Sequence, residues 1–275
     1  MIGVFDSGLG GLSVWRSLKS VMPGQATLYL ADQARAPYGQ RRLDEVRALT
    51  LGCAGWLIER GCRTVVLACN TATAAAADEA RARWPEISVV GIEPAIKPAA
   101  QSTRTGVIGV LATQATFDSP RYESLVHRHA AELHVLARAC PEWVGLVEEG
   151  PSRGPDTAEL IAAEIDPLLD AGADQIVLGC THFPLLMTWI DAAIARWRAS
   201  RGIERSIHVL DPAPAVARQA ARVGQPEPGG LAEDQFWTTG DARQFAVRAA
   251  EVLGGAWKRG PCQSLPLSAL GPVGL

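Results

Sequence analysis

Short apolar runs rich in β-branched residues alternate along the chain with longer segments in which apolar residues recur every three or four positions. The first pattern is typical of buried strands and the second of amphipathic helices. Strands are predicted at 2–5, 27–30, 64–68, 89–92, 105–111, 133–137, 175–179, 207–210 and 235–239. Because strands that alternate with helices build βαβ units, we expect an α/β protein with mostly parallel sheets.

Two of the predicted strands recur later in the chain, in the same order. The segment IGVF at 2–5 resembles IGVL at 108–111, and TVVLACNT at 64–71 resembles QIVLGCTH at 175–182. Chance similarity of short apolar strands is the alternative, but a cysteine follows the strand at the same place in both copies. The repeat therefore predicts two pseudo-symmetric, doubly wound α/β domains that face each other across an active-site cleft.

Two prolines in the segment EPAIKP, at 93–98, interrupt the pattern and indicate a domain boundary. We predict a first domain at 1–97, a second domain at 98–210, and a last segment at 211–275 that returns to the first domain. The residues after Lys258 lack periodicity and are expected to form a disordered tail.

Composition and charge limit the classes of function. The 275 residues are 48% hydrophobic and 20% charged, with a net charge of −3, which gives no electrostatic reason to expect a nucleic acid or membrane partner. No apolar run approaches the roughly 18 residues of a membrane span, and the N-terminus is predicted to be a strand rather than a signal peptide. We expect a cytoplasmic protein with a small-molecule substrate; a homodimer stays open.

Cysteines are the most informative residue type. Six occur, at 53, 62, 69, 140, 180 and 262, and none forms a Cys-x-x-Cys motif, so that neither a metal site nor a disulfide framework is predicted. Cys53 and Cys62 are interpreted as small buried hydrophobic residues. Cys69 and Cys180 differ because each directly follows a predicted strand.

Ligands of open parallel sheets bind beyond the carboxyl ends of the strands. The residues expected there supply a carboxylate, two thiols, hydroxyls, an amide and an imidazole, which together can bind an amino acid. They are Asp6, Ser7, Cys69, Asn70, Thr71, Thr113, Thr116, Cys180, Thr181 and His182. Ser7 and Thr71 could equally be helix N-caps, and a lone histidine is more often structural.

Two thiols suit the inversion of a stereocentre, which requires a base on one face of the carbon and an acid on the other. A free thiol has a pKa of about 8.5, and a helix N-terminus lowers it, so both cysteines are expected to be acidified. Asp6 and His182 are candidates to relay a proton to the nearest cysteine. We interpret the chain as an amino-acid racemase that uses Cys69 and Cys180.

Two classes of cofactor-dependent enzyme are the alternatives to this interpretation. The turn GLGGLS at 8–13 partly fits a dinucleotide-binding motif, with Asp32 as the ribose-binding acid, but its third glycine is replaced by Ser13. A pyridoxal enzyme needs a Schiff-base lysine, and Lys19, Lys97 and Lys258 all lie in unsuitable segments. No cofactor and no metal are therefore predicted.

The chain resembles the glutamate racemases of bacterial peptidoglycan precursor synthesis, within the wider aspartate/glutamate racemase group. The resemblance rests on IGVFDSGLGGLSV (2–14), YLADQARAPYG (29–39), VVLACNTATA (65–74), GIEPAIKPA (91–99), IGVLATQATFDSPRY (108–122), ACPEWVGLVEEG (139–150), IVLGCTHFPLL (176–186) and, more weakly, TTGD (238–241). It implies cofactor-independent conversion of L-glutamate to D-glutamate.

The same resemblance assigns roles to residues. It implies that Cys69 and Cys180 are the acid–base pair, and that Glu148 assists near the second cysteine. It also implies that glutamate contacts Asp6, Ser7, Tyr38, Gly39, Asn70, Thr71, Thr181 and His182, with Thr113 and Thr116 close by. Aspartate as the substrate, a non-catalytic binding role, and the assignment of each cysteine to an enantiomer stay open.

Overall fold

The computed structural model describes residues 1–150, 155–224, 233–256 and 262–271. Its strands are β1 (Ile2–Asp6), β2 (Thr27–Ala31), β3 (Thr64–Leu67), β4 (Ser88–Gly91), β5 (Val107–Ala112), β6 (His134–Ala139), β7 (Gln175–Gly179), β8 (His208–Leu210), β9 (Gln235–Thr238) and β10 (Cys262–Ser264). Its α-helices are α1 (Leu12–Val21), α2 (Leu43–Glu59), α3 (Asn70–Arg83), α4 (Ile96–Ser102), α5 (Gln114–Phe117), α6 (Pro120–Ala130), α7 (Pro141–Glu149), α8 (Pro155–Asp170), α9 (Met187–Arg201), α10 (Ala213–Val223) and α11 (Ala242–Leu253).

The strands form two parallel sheets. One has the order β10-β9-β2-β1-β3-β4, and the other has the order β6-β5-β7-β8. Strands β1 and β7 are buried along their whole length, as expected for parallel strands covered by helices on both faces. We call the elements around the longer sheet the first domain and those around the shorter sheet the second domain.

The repeat seen in the sequence is present in the pairing of the strands. The order β2-β1-β3-β4 in the first domain corresponds to β6-β5-β7-β8 in the second. Ile2 pairs with Thr64 in one sheet, and Ile108 pairs with Gln175 in the other. These are the positions that the repeat matches, so the predicted α/β fold with two pseudo-symmetric domains is confirmed.

The C-terminal segment differs from the prediction of a disordered tail. Cys262 pairs with Phe236, so that β10 extends the first sheet beyond β9. Leu265 and Leu270 are buried against the core around α2, and this burial orders a segment that has no periodicity of its own. Residues 257–261 and 272–275 lie outside the described residues.

The last part of the chain also adds to the first domain through β9, which pairs with β2, and through α10, which packs on α1. The division at 97/98 and at 210/211 stays a prediction. Among the residues that the structure describes, none of the helices combines the length and the apolar character that crossing a bilayer requires.

Candidate active site

The carboxyl ends of β1, β3, β5 and β7 meet at a cavity between the two domains. Its volume is about 380 Å³, within the range of about 300–1,000 Å³ typical of small-molecule sites. Ten of the residues predicted from the sequence line it: Ser7, Tyr38, Gly39, Cys69, Asn70, Thr71, Thr113, Cys180, Thr181 and His182. A wider groove of about 1040 Å³ lies against α2 and α3, but neither of these cysteines lines it.

Cys69 is the N-cap of α3, where its Sγ accepts a hydrogen bond from the Ala72 N–H at 3.5 Å. The thiol is nevertheless less acidic than the sequence predicted. Burial, and next the negative charge of Asp6, raise the pKa of Cys69 to about 12. The expectation of an acidified thiol is therefore wrong for Cys69, because burial outweighs the N–H bonds of the helix end.

Cys180 lies at the end of β7, but no α-helix begins there. A 3₁₀ turn (Phe183–Leu186) follows, and α9 begins only at Met187. The Sγ of Cys180 lies 3.6 Å from Nδ1 of His182. An imidazole is therefore a hydrogen-bond partner of this thiol, at a place where a helix N-terminus was expected.

His182 connects Cys180 to a carboxylate. Its Nε2 lies 2.7 Å from Oε1 of Glu148. Burial disfavours the charged forms, but hydrogen bonds outweigh it: those with Cys180 and Glu148 raise the pKa of His182 well above its usual value, and the bond with His182 lowers the pKa of Glu148. The three side chains form a chain of contacts from thiol to imidazole to carboxylate.

Asp6 and Glu148 lie behind the wall of the cavity. Asp6 is fully buried and accepts hydrogen bonds from the Gly8 N–H at 2.8 Å and from the Thr181 hydroxyl at 3.0 Å. Burial raises the pKa of Asp6, while the charge of His182 acts in the opposite direction. The bond from Thr181 joins the two domains directly beside both thiols.

The glycine-rich turn has a packing reason for its glycines. A Cβ on Gly8 would lie 2.0 Å from Oε1 of Glu148, and a Cβ on Gly10 would lie 2.4 Å from Nδ1 of His182. The turn therefore allows the second domain to approach closely. Asp32, the ribose-binding candidate, is instead buried and bonded to Arg35, Tyr38 and Thr239.

Three hydroxyls meet at the domain boundary. The Oγ1 of Thr71 lies 3.0 Å from that of Thr113, which lies 3.1 Å from that of Thr116. Thr116 is buried behind the cavity and supports the other two. The ring of Tyr38 lines the cavity, while its hydroxyl donates to Asp32. A Cβ on Gly39 would lie 2.5 Å from Cβ of Thr113, so this wall is also closely packed.

The hydrogen bonding of the Asn70 side chain is unusual for a buried polar group. Its side chain is buried, and neither Nδ2 nor Oδ1 has a hydrogen-bond partner among the described residues. An unpaired buried amide is costly, by about 1–3 kcal/mol for each group. Because Asn70 lines the cavity, a polar ligand there would supply the missing partners.

Sequence reasoning missed part of the wall. Gln40, Gln114, Ala139, Pro141 and Val144 also line the cavity. Gln114 directly follows Thr113 at the end of β5, so the strand-end rule could have found it. Val144 comes from the middle of α7, where no local signal marks it. Among the described residues, no cluster of His, Cys, Asp or Glu could hold a metal ion.

Comparisons with known proteins address the family and the fold of the chain. The model of the Asp/Glu/Hydantoin racemase family matches residues 3–220. A glutamate racemase of Roseiflexus sp. is 47% identical over 253 residues, which is 89% of each chain. The crystal structure of a glutamate racemase from Bacillus anthracis has a TM-score of 0.80 at 30% identity and covers 97% of both chains. The Escherichia coli glutamate racemase, solved with L-glutamate and the activator UDP-MurNAc-Ala, has a TM-score of 0.81 at 27% identity over 96% of this chain and 97% of that chain.

Proposed function

The chain belongs to the Asp/Glu/hydantoin racemase family of isomerases, and we propose that it interconverts L- and D-glutamate with Cys69 and Cys180 as the acid–base pair. One observation carries the proposal: both thiols line the same cavity, and each comes from the end of a symmetry-related strand in a different domain. A substrate between them has one thiol available to each face of its Cα.

The reaction needs one proton transfer on each face. One cysteine, as thiolate, removes the Cα proton, which leaves the electron pair on carbon and converts the thiolate to a thiol. The other cysteine, as thiol, donates its proton to the opposite face and becomes the thiolate. In the reverse direction the two exchange roles.

The charges around the two cysteines support their roles as base and acid. The high pKa of Cys69, about 12, favours its protonated thiol. The ammonium group of a bound amino acid is a positive charge, and it would favour the thiolate once the substrate is in place. At Cys180 the imidazole of His182, held by Glu148, is placed to exchange a proton with the sulfur.

Polar groups without charge are available to bind the carboxylates of glutamate. The unpartnered amide of Asn70 and the hydroxyls of Thr71 and Thr113 lie together beside Cys69. Ser7 and Thr181 lie on the other parts of the wall. The choice of glutamate is supported by the curated relatives, which are named glutamate racemases, and by the L-glutamate bound in the Escherichia coli structure.

The proposed biological role rests on the family resemblance of the sequence motifs. We assign the D-glutamate product to bacterial peptidoglycan precursor synthesis, in the cytoplasm, because the sequence motifs resemble those of the enzymes of that step.

The test is racemisation in D2O, followed by circular dichroism and by the mass of each enantiomer. Two bases predict that solvent deuterium enters the product enantiomer while the remaining substrate initially stays unlabelled. Equal early labelling of both enantiomers would show a single base. A higher kcat/KM on aspartate than on glutamate would overturn the substrate assignment, and the absence of any racemisation would favour a binding role.

A further inference from the structure

A glutamine outside the cavity contacts the carboxylate behind Cys180. Gln33 follows β2, and its Nε2 donates a hydrogen bond to Oε2 of Glu148 at 2.8 Å. Its Oε1 accepts a hydrogen bond from the Thr238 hydroxyl at 2.9 Å. The side chain of Gln33 therefore lies between a residue of the second domain and strand β9 of the first.

The neighbours of Gln33 fix the orientation of its amide. The Oγ1 of Thr238 accepts the N–H of Gly240 at 3.0 Å, so its hydroxyl proton is free to point to Gln33. The oxygen of the Gln33 amide must face that proton, and its N–H must then face Glu148. Thr238 and Gly240 belong to the TTGD motif, for which the cavity gave no role.

Glu148 receives donors from both domains. Its Oε1 accepts the N–H of Leu9 at 2.6 Å and contacts His182, while its Oε2 accepts from Gln33. A carboxylate with three donors is held in one orientation and stays ionised. Two of these donors belong to the first domain, so the orientation of Glu148 depends on the contact between the domains.

We propose that Gln33 is a positioning residue for the reaction: from the first domain it holds the Glu148 carboxylate in the orientation that keeps His182 on Cys180. The inference rests on the proposed function. It is specific to one side of the reaction, because the chain of contacts from Gln33 through Glu148 and His182 ends at Cys180. Cys69 receives its polar contacts from Ala72 and Ser7.

The ionisable groups that face Glu148 and His182 are Asp6, Tyr29 and Cys180, and Arg248 of α11 donates a hydrogen bond to the carbonyl of the neighbouring Val147. Against burial, the hydrogen bond and the charge of His182 lower the pKa of Glu148, and so do the hydrogen bonds from Leu9 and Gln33. Loss of the donor from Gln33 destabilises the charged carboxylate, and the pKa of Glu148 rises. The acidic limb of the pH profile should then move to higher pH.

The experiment uses Gln33→Met, which keeps the length of the side chain and removes both polar atoms. Gln25→Met is the matched control, because Gln25 is also half-buried but its amide bonds only to the neighbouring Ala26 carbonyl. L- and D-glutamate have the same free energy, so kcat/KM must fall by the same factor in both directions. We expect a fall of about tenfold for Gln33→Met, typical of a lost hydrogen bond to a charged group, and no change for Gln25→Met.

The measurement that separates a positioning role from a structural effect on the whole site is the isotope effect of Cα-deuterated substrate on kcat/KM. In the direction in which Cys180 removes the proton, a slower Cys180 makes C–D cleavage more limiting, and the isotope effect rises. In the other direction Cys180 only delivers a proton, and the isotope effect falls. Thr238→Val removes the hydrogen bond that orients the Gln33 amide. It should change the isotope effects of the two directions in the same opposite senses, with a smaller loss of kcat/KM.

The role of Gln33 would be overturned if the wild type racemises glutamate but both Gln33→Met and Thr238→Val leave the isotope effects and the acidic limb of the pH profile unchanged. Parallel changes in both directions would also overturn it, since they would show an effect on both cysteines. Thermal unfolding of each variant checks that the fold is retained. A wild type without glutamate racemisation would instead overturn the proposed function, so the two failures are distinct.

Discussion

Cys69 and Cys180 occupy equivalent places in two related domains, and their surroundings differ in kind. Cys69 caps α3 through the Ala72 N–H and faces the charge of Asp6. Cys180 caps no helix and has Nδ1 of His182 at 3.6 Å, with Glu148 behind the imidazole. One thiol has a backbone N–H and the hydroxyl of Ser7 as partners, and the other is connected to an ion pair.

One position of the repeat contributes to this difference. Two residues after the first cysteine stands Thr71, which joins the hydroxyl cluster with Thr113. Two residues after the second cysteine stands His182, which bonds to Glu148. The repeated fold therefore places the two thiols at equivalent strand ends, and the residues next to them give each thiol different polar partners. An amino-acid substrate is itself asymmetric, so equal surroundings are not required.

The largest expected effect is the loss of either cysteine. Cys69→Ala and Cys180→Ala should each lower racemisation by at least about 10³-fold, because each removes an acid–base group. Each variant keeps one thiol, which can still remove and return a proton on its own face. In D2O we expect each to label one enantiomer without inversion, and the two variants to label opposite enantiomers.

Cys53→Ala is the control for these variants, because Cys53 is a buried thiol that does not line the cavity. Full racemisation by either Cys69→Ala or Cys180→Ala would contradict the mechanism. Labelling of the same enantiomer by both variants would show that the thiols do not face opposite sides of Cα. The assignment of each cysteine to an enantiomer would follow from the same measurement.

The two variants Cys69→Ala and Cys180→Ala also allow the effect of His182 to be measured on each thiol separately. His182→Asn should lower the exchange by Cys180, measured in the Cys69→Ala background, by about 10²-fold, since it removes the proton-exchanging imidazole. In the Cys180→Ala background the exchange by Cys69 should change by less than about threefold. Equal losses in both backgrounds would show that His182 acts on the whole cavity and not on one thiol.

The strand ends were predictable because a parallel sheet collects them at one edge, and this placed both cysteines. The acidity of Cys69 was not predictable, because burial depends on how the second domain covers the thiol. Gln33 could not be found either: its partners Glu148 and Thr238 are 115 and 205 residues away in sequence. Glu148 itself was predicted from the family resemblance alone, and β10 has no periodic signal.

Asp6 should affect the Cys69 side through charge. Burial and the negative charge of Asp6 both raise the pKa of Cys69, so Asp6→Asn should lower it. The base form of Cys69 would then appear at lower pH, and the rising alkaline limb of its exchange in the Cys180→Ala background should move down by on the order of one pH unit. A shift to higher pH would contradict the electrostatic account.

The smallest expected effect should be the same on both sides. Thr116 lies behind the cavity and supports Thr71 and Thr113 through its hydroxyl, so Thr116→Val removes a neutral hydrogen-bond contact without changing the shape of the side chain. We expect KM for glutamate to rise by about threefold to fivefold, and both single-cysteine exchange rates at low substrate to fall by that same factor. The shared factor follows because the hydroxyl cluster would bind the substrate, whichever thiol takes the proton. A fall in the exchange rate of Cys69 alone would instead mean that the hydroxyl cluster positions that thiol. The hydroxyls would then do for Cys69 what His182 does for Cys180 on the other face.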